Sequence, residues 1–266
     1  MKLGVDLLVT FLLAAYCKAD RCDNWDWAKN IKPVLFNRSL STCGGMETNA
    51  HFPDAARQQI VDLHNGVRAA AANGCAKTTN GTLPMSSNMR IMVSFDIDFS
   101  EMIACIGFRH ITTVSKSQPR PGQILAPVAI QYLLVKIFFT SDPFKTAIES
   151  FNNNELPRIG DRMLNNTKFV GNIRDITHYT AMIWAKTSSV GCGLSVCYKN
   201  PTVKYARGYT VVCHYHPIGN VIGFYAYEKG EPCKTDSDCI DEGFDKCVTS
   251  LGMCGNGQPK IGATFG

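Results

Sequence analysis

Apolar residues recur at helical spacing in three separate stretches of this 266-residue chain. The first begins near Pro53-Asp54, where proline suits the first helical turn and aspartate suits the positive end of the helix, and it ends before Asn73-Gly74. The second spans Met89–His110, and the third spans Asp142–Leu156, where an aspartate cap is followed by proline. Each carries an apolar stripe with a period of about 3.6 residues. The pattern therefore predicts three helices that each press one face against a core.

Two titratable residues fall on such inner faces. Glu155 lies one turn beyond Phe151 on the stripe of the third helix, and a carboxylate buried there needs an ion pair or a hydrogen bond. His178 shares helical spacing with Met182, which predicts a short fourth helix with the histidine on its inner face. On pattern alone, a satisfied core histidine is the favoured interpretation of His178, and a ligand or catalyst is the alternative. The alternating segment Gly208–His214 predicts a strand.

The N-terminal segment Met1–Ala19 is typical of a secretory signal, because Lys2 precedes the apolar run Leu7–Tyr16 and a small residue comes before the expected cleavage point. A later apolar run, Ile130–Phe139, is only ten residues long, so it predicts a buried element and not a membrane span. The formal charge of +5 is mild and no basic run occurs, which argues against nucleic-acid binding. The sequence thus predicts a secreted, extracellular protein.

Cysteine usage agrees with an oxidising compartment. Twelve cysteines are present, and eleven remain once Cys17 leaves with the signal, which allows up to five bridges and one unpaired thiol. The segment Glu228–Gly266 has few large apolar residues, so its shape should depend on disulfides, and its cysteine spacings do not fit a zinc site. Its four cysteines are Cys233, Cys239, Cys247 and Cys254. Glycosylation is expected in exposed loops at sequons that begin at Asn37, Asn80 and Asn165.

Two long motifs resemble the signatures of a known superfamily. HYTAMIW (His178–Trp184), followed by VGCG, and VVCHYHPIGNVIG (Val211–Gly223) stand in the order and at the separation found in the CAP superfamily of cysteine-rich secretory, antigen 5 and pathogenesis-related proteins. HNGVR (His64–Arg68) resembles the HNxxR motif of its first helix, which is mostly architectural. The cysteine-rich tail, with YEKGEPC before it, is similar to that of the activation-associated secreted proteins of parasitic nematodes, which carry a single CAP domain.

This resemblance implies an α/β fold, a three-layer α-β-α sandwich with a short disulfide-rich C-terminal tail. The chain would then divide into a signal peptide (1–19), an N-terminal extension (20–52), the CAP domain (53–227) and the tail (228–266). The family pattern of disulfides would join Cys105 to Cys213 and Cys192 to Cys197.

The resemblance also implies a site. In the family, two histidines and two glutamates line a central cleft and can bind zinc, and the matching positions here are His110, Gln123, Glu155 and His178. Gln123 replaces a glutamate and can form hydrogen bonds, but it supplies no negative charge. His110 and His178, with Glu155, form a candidate ligand set for zinc, with water in the fourth position. No cofactor is required on this interpretation, and the loss of one charge should weaken the metal site.

Three functions remain open. The first, which the resemblance favours, is a secreted interaction protein that engages an extracellular protein or receptor, such as a host immune component, through its surface and central cleft. The second is a sterol or lipid carrier, in which Ile130–Phe139 would line a pocket. The third is a metal-dependent hydrolase that uses His178 and Glu155. The hydrolase ranks last because no serine or cysteine nucleophile in a recognisable local context accompanies the histidines, so we expect no enzymatic activity.

Overall fold

A mixed β-sheet organises the part of the chain that the computed structural model describes, namely residues 22, 31, 46–48, 52–94, 131–137, 142–170, 175–197 and 208–256. Its strands there are β1 (Met46–Thr48), β2 (Val93–Ser94), β3 (Gln131–Ile137), β4 (Ser189–Cys197) and β5 (Gly208–His216). The antiparallel order is β1-β4-β5-β3, and β2 lies parallel beside β4. The strand predicted at Gly208–His214 is confirmed as β5, and most of the apolar run Ile130–Phe139 forms β3.

Three helices pack against one another: α1 (Asp54–Ala72), α2 (Pro143–Ile159) and α3 (Thr177–Met182). The predicted stripe of α1 is buried, since Ile60, Leu63 and Val67 are almost inaccessible to solvent. α1 contacts β2 and β4, whereas α2 contacts β3 and β5. These helices and the sheet are the described parts of the expected sandwich. Its arrangement in three layers stays a prediction.

The signals at the start of α2 work as the sequence predicts. The Asp142 carboxylate accepts a hydrogen bond of 3.0 Å from the Lys145 N–H, and Pro143 occupies the first turn, where its missing N–H is not needed. The helix continues three residues past the predicted end at Leu156, through Pro157 to Ile159. Ile159 is fully buried, so packing on the core face offsets the unfavourable proline.

The helix predicted for Met89–His110 is wrong at its beginning. Residues 89–94 are not helical: Val93–Ser94 pairs with β4, and the Ile91 N–H donates to the Cys254 carbonyl at 2.8 Å. Met89, Ile91 and Met92 are buried, whereas Arg90 is partly exposed and Val93 is exposed. Pairing with other segments satisfies this backbone, so local helical spacing does not decide its structure. The remainder of that prediction lies outside the described residues.

The disulfides expected within the CAP domain are also corrected. The structure joins Cys192 to Cys213, with an S–S distance of 2.03 Å. These two residues lie directly opposite each other in the antiparallel β4–β5 register. Cys192 and Cys197 sit on the same strand, where five positions span roughly 16 Å and no disulfide can close. A Cys105–Cys213 bridge is excluded in this structure because Cys213 is already paired.

The cysteine-rich tail is docked on the rest of the molecule. Its four cysteines pair as Cys233–Cys247 and Cys239–Cys254 around a small hairpin of β6 (Lys246–Val248) and β7 (Met253–Gly255). Leu251 and Met253 are fully buried and belong to the main hydrophobic core. Disulfides therefore shape the tail, while two of its apolar side chains hold it against the body. A further bridge, Cys22–Cys75, ties the N-terminal segment to the chain that follows α1.

Candidate functional site

Arg68 of the HNGVR motif is buried and links α1 to other segments of the chain through hydrogen bonds. Its side chain is fully inaccessible to solvent, and burial lowers the pKa of its guanidinium to about 9. The guanidinium donates hydrogen bonds of 2.6–3.0 Å to backbone carbonyls of the segment before β2, of the last residue of α3 and of the chain between α3 and β4. Those carbonyls are from Arg90, Met182, Trp184, Ala185 and Thr187. These contacts support a structural role for Arg68, as the family resemblance implies.

His64 from the same motif is a neutral core histidine. Its Nδ1 lies 2.7 Å from the Ile60 carbonyl, which can only accept, so Nδ1 carries the proton and Nε2 accepts from the Tyr215 hydroxyl at 3.0 Å. Burial lowers the pKa of His64 to about 4. Asn65 beside it forms two hydrogen bonds of 2.9 Å with the backbone N–H and carbonyl of Met92. The His64 and Asn65 side chains are both buried, so neither can contact a ligand in solution.

Glu155 and His178 meet where α2 contacts α3. The Glu155 Oε1 atom lies 2.5 Å from His178 Nδ1, and its Oε2 atom accepts from the Tyr179 N–H at 2.8 Å. The N-cap residue of α3 is Ile176, which has no side-chain acceptor, so Glu155 supplies from α2 the acceptor that the first turn of α3 needs. The buried Glu155 carboxylate therefore has two hydrogen-bond partners, His178 and the Tyr179 N–H.

Phe151 packs on the face of the His178 imidazole, in addition to the contact of Glu155 with Nδ1. The Phe151 ring stacks on it with a centroid distance of 4.3 Å and an interplanar angle of 14°. About a quarter of the His178 side chain remains exposed, against a tenth of Glu155. Because Nδ1 faces the carboxylate, a neutral His178 carries its free lone pair on Nε2. A histidine with one nitrogen held by a carboxylate and the other free is an arrangement that also occurs in metal sites.

Asn220 holds α3 in place through a second set of hydrogen bonds. Asn220, with φ of 56°, donates from Nδ2 to the Thr177 carbonyl at 2.8 Å and accepts from the Thr180 hydroxyl at 2.8 Å. It is almost completely buried. The turn at Pro217–Asn220 is visible in the sequence, but this role of Asn220 is not. An asparagine in the left-handed region of a turn is the signal that could have indicated it.

The structure brings together only part of the predicted site. Glu155 and His178 are in contact, whereas His110 and Gln123 lie outside the described residues, as does Asn37 among the glycosylation candidates. Asn80 and Asn165 are exposed. Two other clusters have the proximity of metal sites, but their sulfurs are in disulfides and offer no thiolate: they are His64, Cys192 and Cys213, and Cys233, Cys239 and Cys247.

These features define a class: a disulfide-bonded α/β domain with a carboxylate–imidazole pair between two helices. Residues 134–215 match the profile of the CAP: Cysteine-rich secretory protein family. Venom allergen 5 of Vespula vidua is 30% identical over 203 residues, which covers 70% of this chain and 86% of that protein. The chain therefore belongs to the CAP family, as the sequence motifs predict.

Solved structures support the same assignment. BmVAL-1 is 25% identical with a TM-score of 0.53, over 78% of this chain and 97% of that one. NaASP2, solved with Zn2+, is 27% identical with a TM-score of 0.50, over 75% and 94% of the two chains. Some matches are far shorter: the chain spans only 30% and 12% of the length of two mammalian relatives. No helix among the described residues is long and apolar enough to cross a membrane.

Proposed function

We propose that this protein is secreted and acts as an extracellular recognition protein, which binds a partner protein or receptor through its surface and the cleft at His178. Host receptors and immune components are the class of partner that the family resemblance favours. The observation that carries the proposal is the geometry of Glu155, whose two oxygens are both engaged, by His178 and by the Tyr179 N–H. A carboxylate held in this way orients a surface imidazole.

The disulfides support the extracellular part of the proposal. Four bridges join cysteines of the described residues, and each links segments 14 to 53 positions apart. Such bridges persist in oxidising compartments and are rare where glutathione keeps thiols reduced. They agree with the secretory signal that the N-terminal sequence predicts.

The same geometry disfavours Glu155 as the general base of a hydrolase. A general base must reach the proton that it removes, and both Glu155 oxygens are already occupied by groups that hold α3 in place. The sterol or lipid carrier has no supporting observation among the described residues, where residues 131–137 form a strand hydrogen-bonded to β5. The proposal therefore gives the cleft a binding role.

The residues present could bind zinc, although the proposed function does not require it. His178 offers Nε2, and Glu155 would orient it through Nδ1 instead of binding the metal directly, which changes the role expected for this glutamate. His110 is the second ligand that the family resemblance implies. A bound zinc ion would add positive charge and Lewis acidity to the cleft.

We expect His178→Ala to abolish zinc binding by the cleft and Glu155→Gln to weaken it about 10- to 100-fold, because the amide orients the imidazole less well than a carboxylate. Isothermal titration of the metal-free protein with zinc measures both effects. His216→Ala removes an exposed histidine and Glu149→Gln removes a carboxylate elsewhere on α2, so both controls should bind like the wild type. Equal affinity in His178→Ala would remove His178 from the ligand set.

A defined binding panel tests the recognition function itself. Purified receptor ectodomains and secreted immune proteins would be titrated against the immobilised protein by surface plasmon resonance. We expect saturable binding to a small subset, with dissociation constants of about 1 μM or below. The reduced and alkylated protein, which lacks the disulfides, is the control and should lose this binding. If no panel member binds saturably, the recognition function is wrong.

A further inference from the structure

One side chain of the tail is presented to solvent to an unusual degree. Ile240 is 90% exposed, whereas the other large exposed apolar residues of the described chain, such as Val170 and Phe224, reach 47% and 57%. An isolated exposed isoleucine is ordinary on a mobile loop. What distinguishes Ile240 is that the residues on both sides of it are held by contacts with the rest of the molecule.

Both sequence neighbours of Ile240 are anchored. Cys239 is buried and linked by a disulfide to Cys254, which is also buried. Asp241 accepts hydrogen bonds of 2.7 and 3.1 Å from the Arg90 guanidinium, which also lies 4.3 Å above the Phe244 ring. Fixing these neighbours orders the loop before any partner arrives. Binding through Ile240 would therefore cost little additional conformational entropy.

The surroundings of Ile240 are acidic although the chain as a whole is basic. Six carboxylates and two lysines lie between Glu231 and Lys246, a formal charge of −4, which the Arg90 guanidinium on Asp241 reduces to −3, while the whole chain carries +5. Glu242 and Asp245 are exposed, and so are Asp236 and Asp238. Hydrogen bonds from neighbouring backbone N–H groups lower the pKa of Asp236 and of Asp238, which keeps both ionised at neutral pH. We call residues 239–245 the Ile240 knob.

We infer that the Ile240 knob is a docking element for a basic protein partner, which receives the isoleucine in an apolar pocket bordered by lysine or arginine residues. This inference rests on the proposed function and names the surface and the partner chemistry within it. A rigid apolar anchor that fills a pocket is the usual centre of binding energy in an interface, and surrounding charges steer the encounter. The acidic rim selects partners of positive charge.

The experiment uses each panel protein that binds the full-length chain. We expect Ile240→Ser to weaken binding about tenfold or more, because the burial of an isoleucine is lost. We expect the double variant Glu242→Gln/Asp245→Asn to slow association at low salt and to reduce its salt dependence. Neither variant touches the core or Arg90. Val170→Ser removes an exposed aliphatic side chain outside the tail and should bind like the wild type.

Each outcome decides the inference. Basic partners that are lost in Ile240→Ser support it. Partners that bind Ile240→Ser normally overturn the inference and leave the proposed function standing. Partners lost in Ile240→Ser but without a basic surface or salt dependence contradict the partner chemistry. If no protein binds the wild-type chain, the inference and the proposed function both fail.

Discussion

Arg68→Ala should reduce the free energy of unfolding by about 3–5 kcal/mol, or prevent folding, because it leaves several buried carbonyls without their donor. Arg68 connects α1 to five carbonyls, one before β2 and four between Met182 and Thr187. Arg68→Lys keeps the charge, but its three donors cannot reach the same carbonyls, so its loss should be smaller but still large. Urea unfolding followed by tryptophan fluorescence measures both variants, since Trp184 lies beside the network.

Arg57→Ala provides the matched control. Arg57 lies on the same helix, and its contact with Asp54, at 2.6 Å, is at the surface. Exposed pairs of this kind contribute about 1 kcal/mol or less, so Arg57→Ala should unfold at nearly the wild-type urea concentration. If Arg68→Ala were as stable as Arg57→Ala, the buried hydrogen bonds of Arg68 would not be a major source of stability.

His64 should make the protein lose stability as the pH falls from about 6.5 to about 4. The pKa of His64 is lowered to about 4 in the folded state, so the unfolded chain takes up the proton first. The stability is complete above the unfolded pKa of 6.5 and decreases below it by up to about 3 kcal/mol. Urea titrations at several pH values in this range measure the loss.

The comparison with His64→Gln isolates this contribution. Glutamine is neutral at all these pH values, so the variant should be less stable at pH 7 but should lose less stability on acidification. Burial raises the pKa of the Asp62 and Asp142 carboxyls, which favours the folded state at low pH and opposes the histidine effect. Their effect is common to both proteins and cancels in the difference. Identical pH dependence of the two proteins would exclude His64 as the source.

The helices and the second signature strand could be predicted because each depends on local signals. The start of α2 illustrates this, since the Asp142 cap and Pro143 act within one turn of chain. Met89–Ser94 fails for the opposite reason. Its spacing suits a helix, but its backbone bonds to β4, Asn65 and Cys254, which are distant in sequence. The spacing of apolar residues cannot show which distant segment will form hydrogen bonds with this backbone.

The candidate site shows the same division. The need of Glu155 for a partner follows from its position on an apolar stripe, and the structure supplies His178 and the Tyr179 N–H. The orienting role of Glu155 could not be foreseen, because it depends on how α2 approaches α3. The pairing of Cys192 likewise follows from strand register, which a sequence without its fold does not reveal.

The buried positions of Leu251 and Met253 bear on how the protein is made. A ribosome releases these two side chains after α1 and the sheet have emerged. Until then the main core has a gap, and the Cys239–Cys254 bridge that secures the tail cannot close. We therefore expect the nascent chain to complete its interior only after the segment that carries Leu251, Met253 and Cys254 has followed α1 and the sheet.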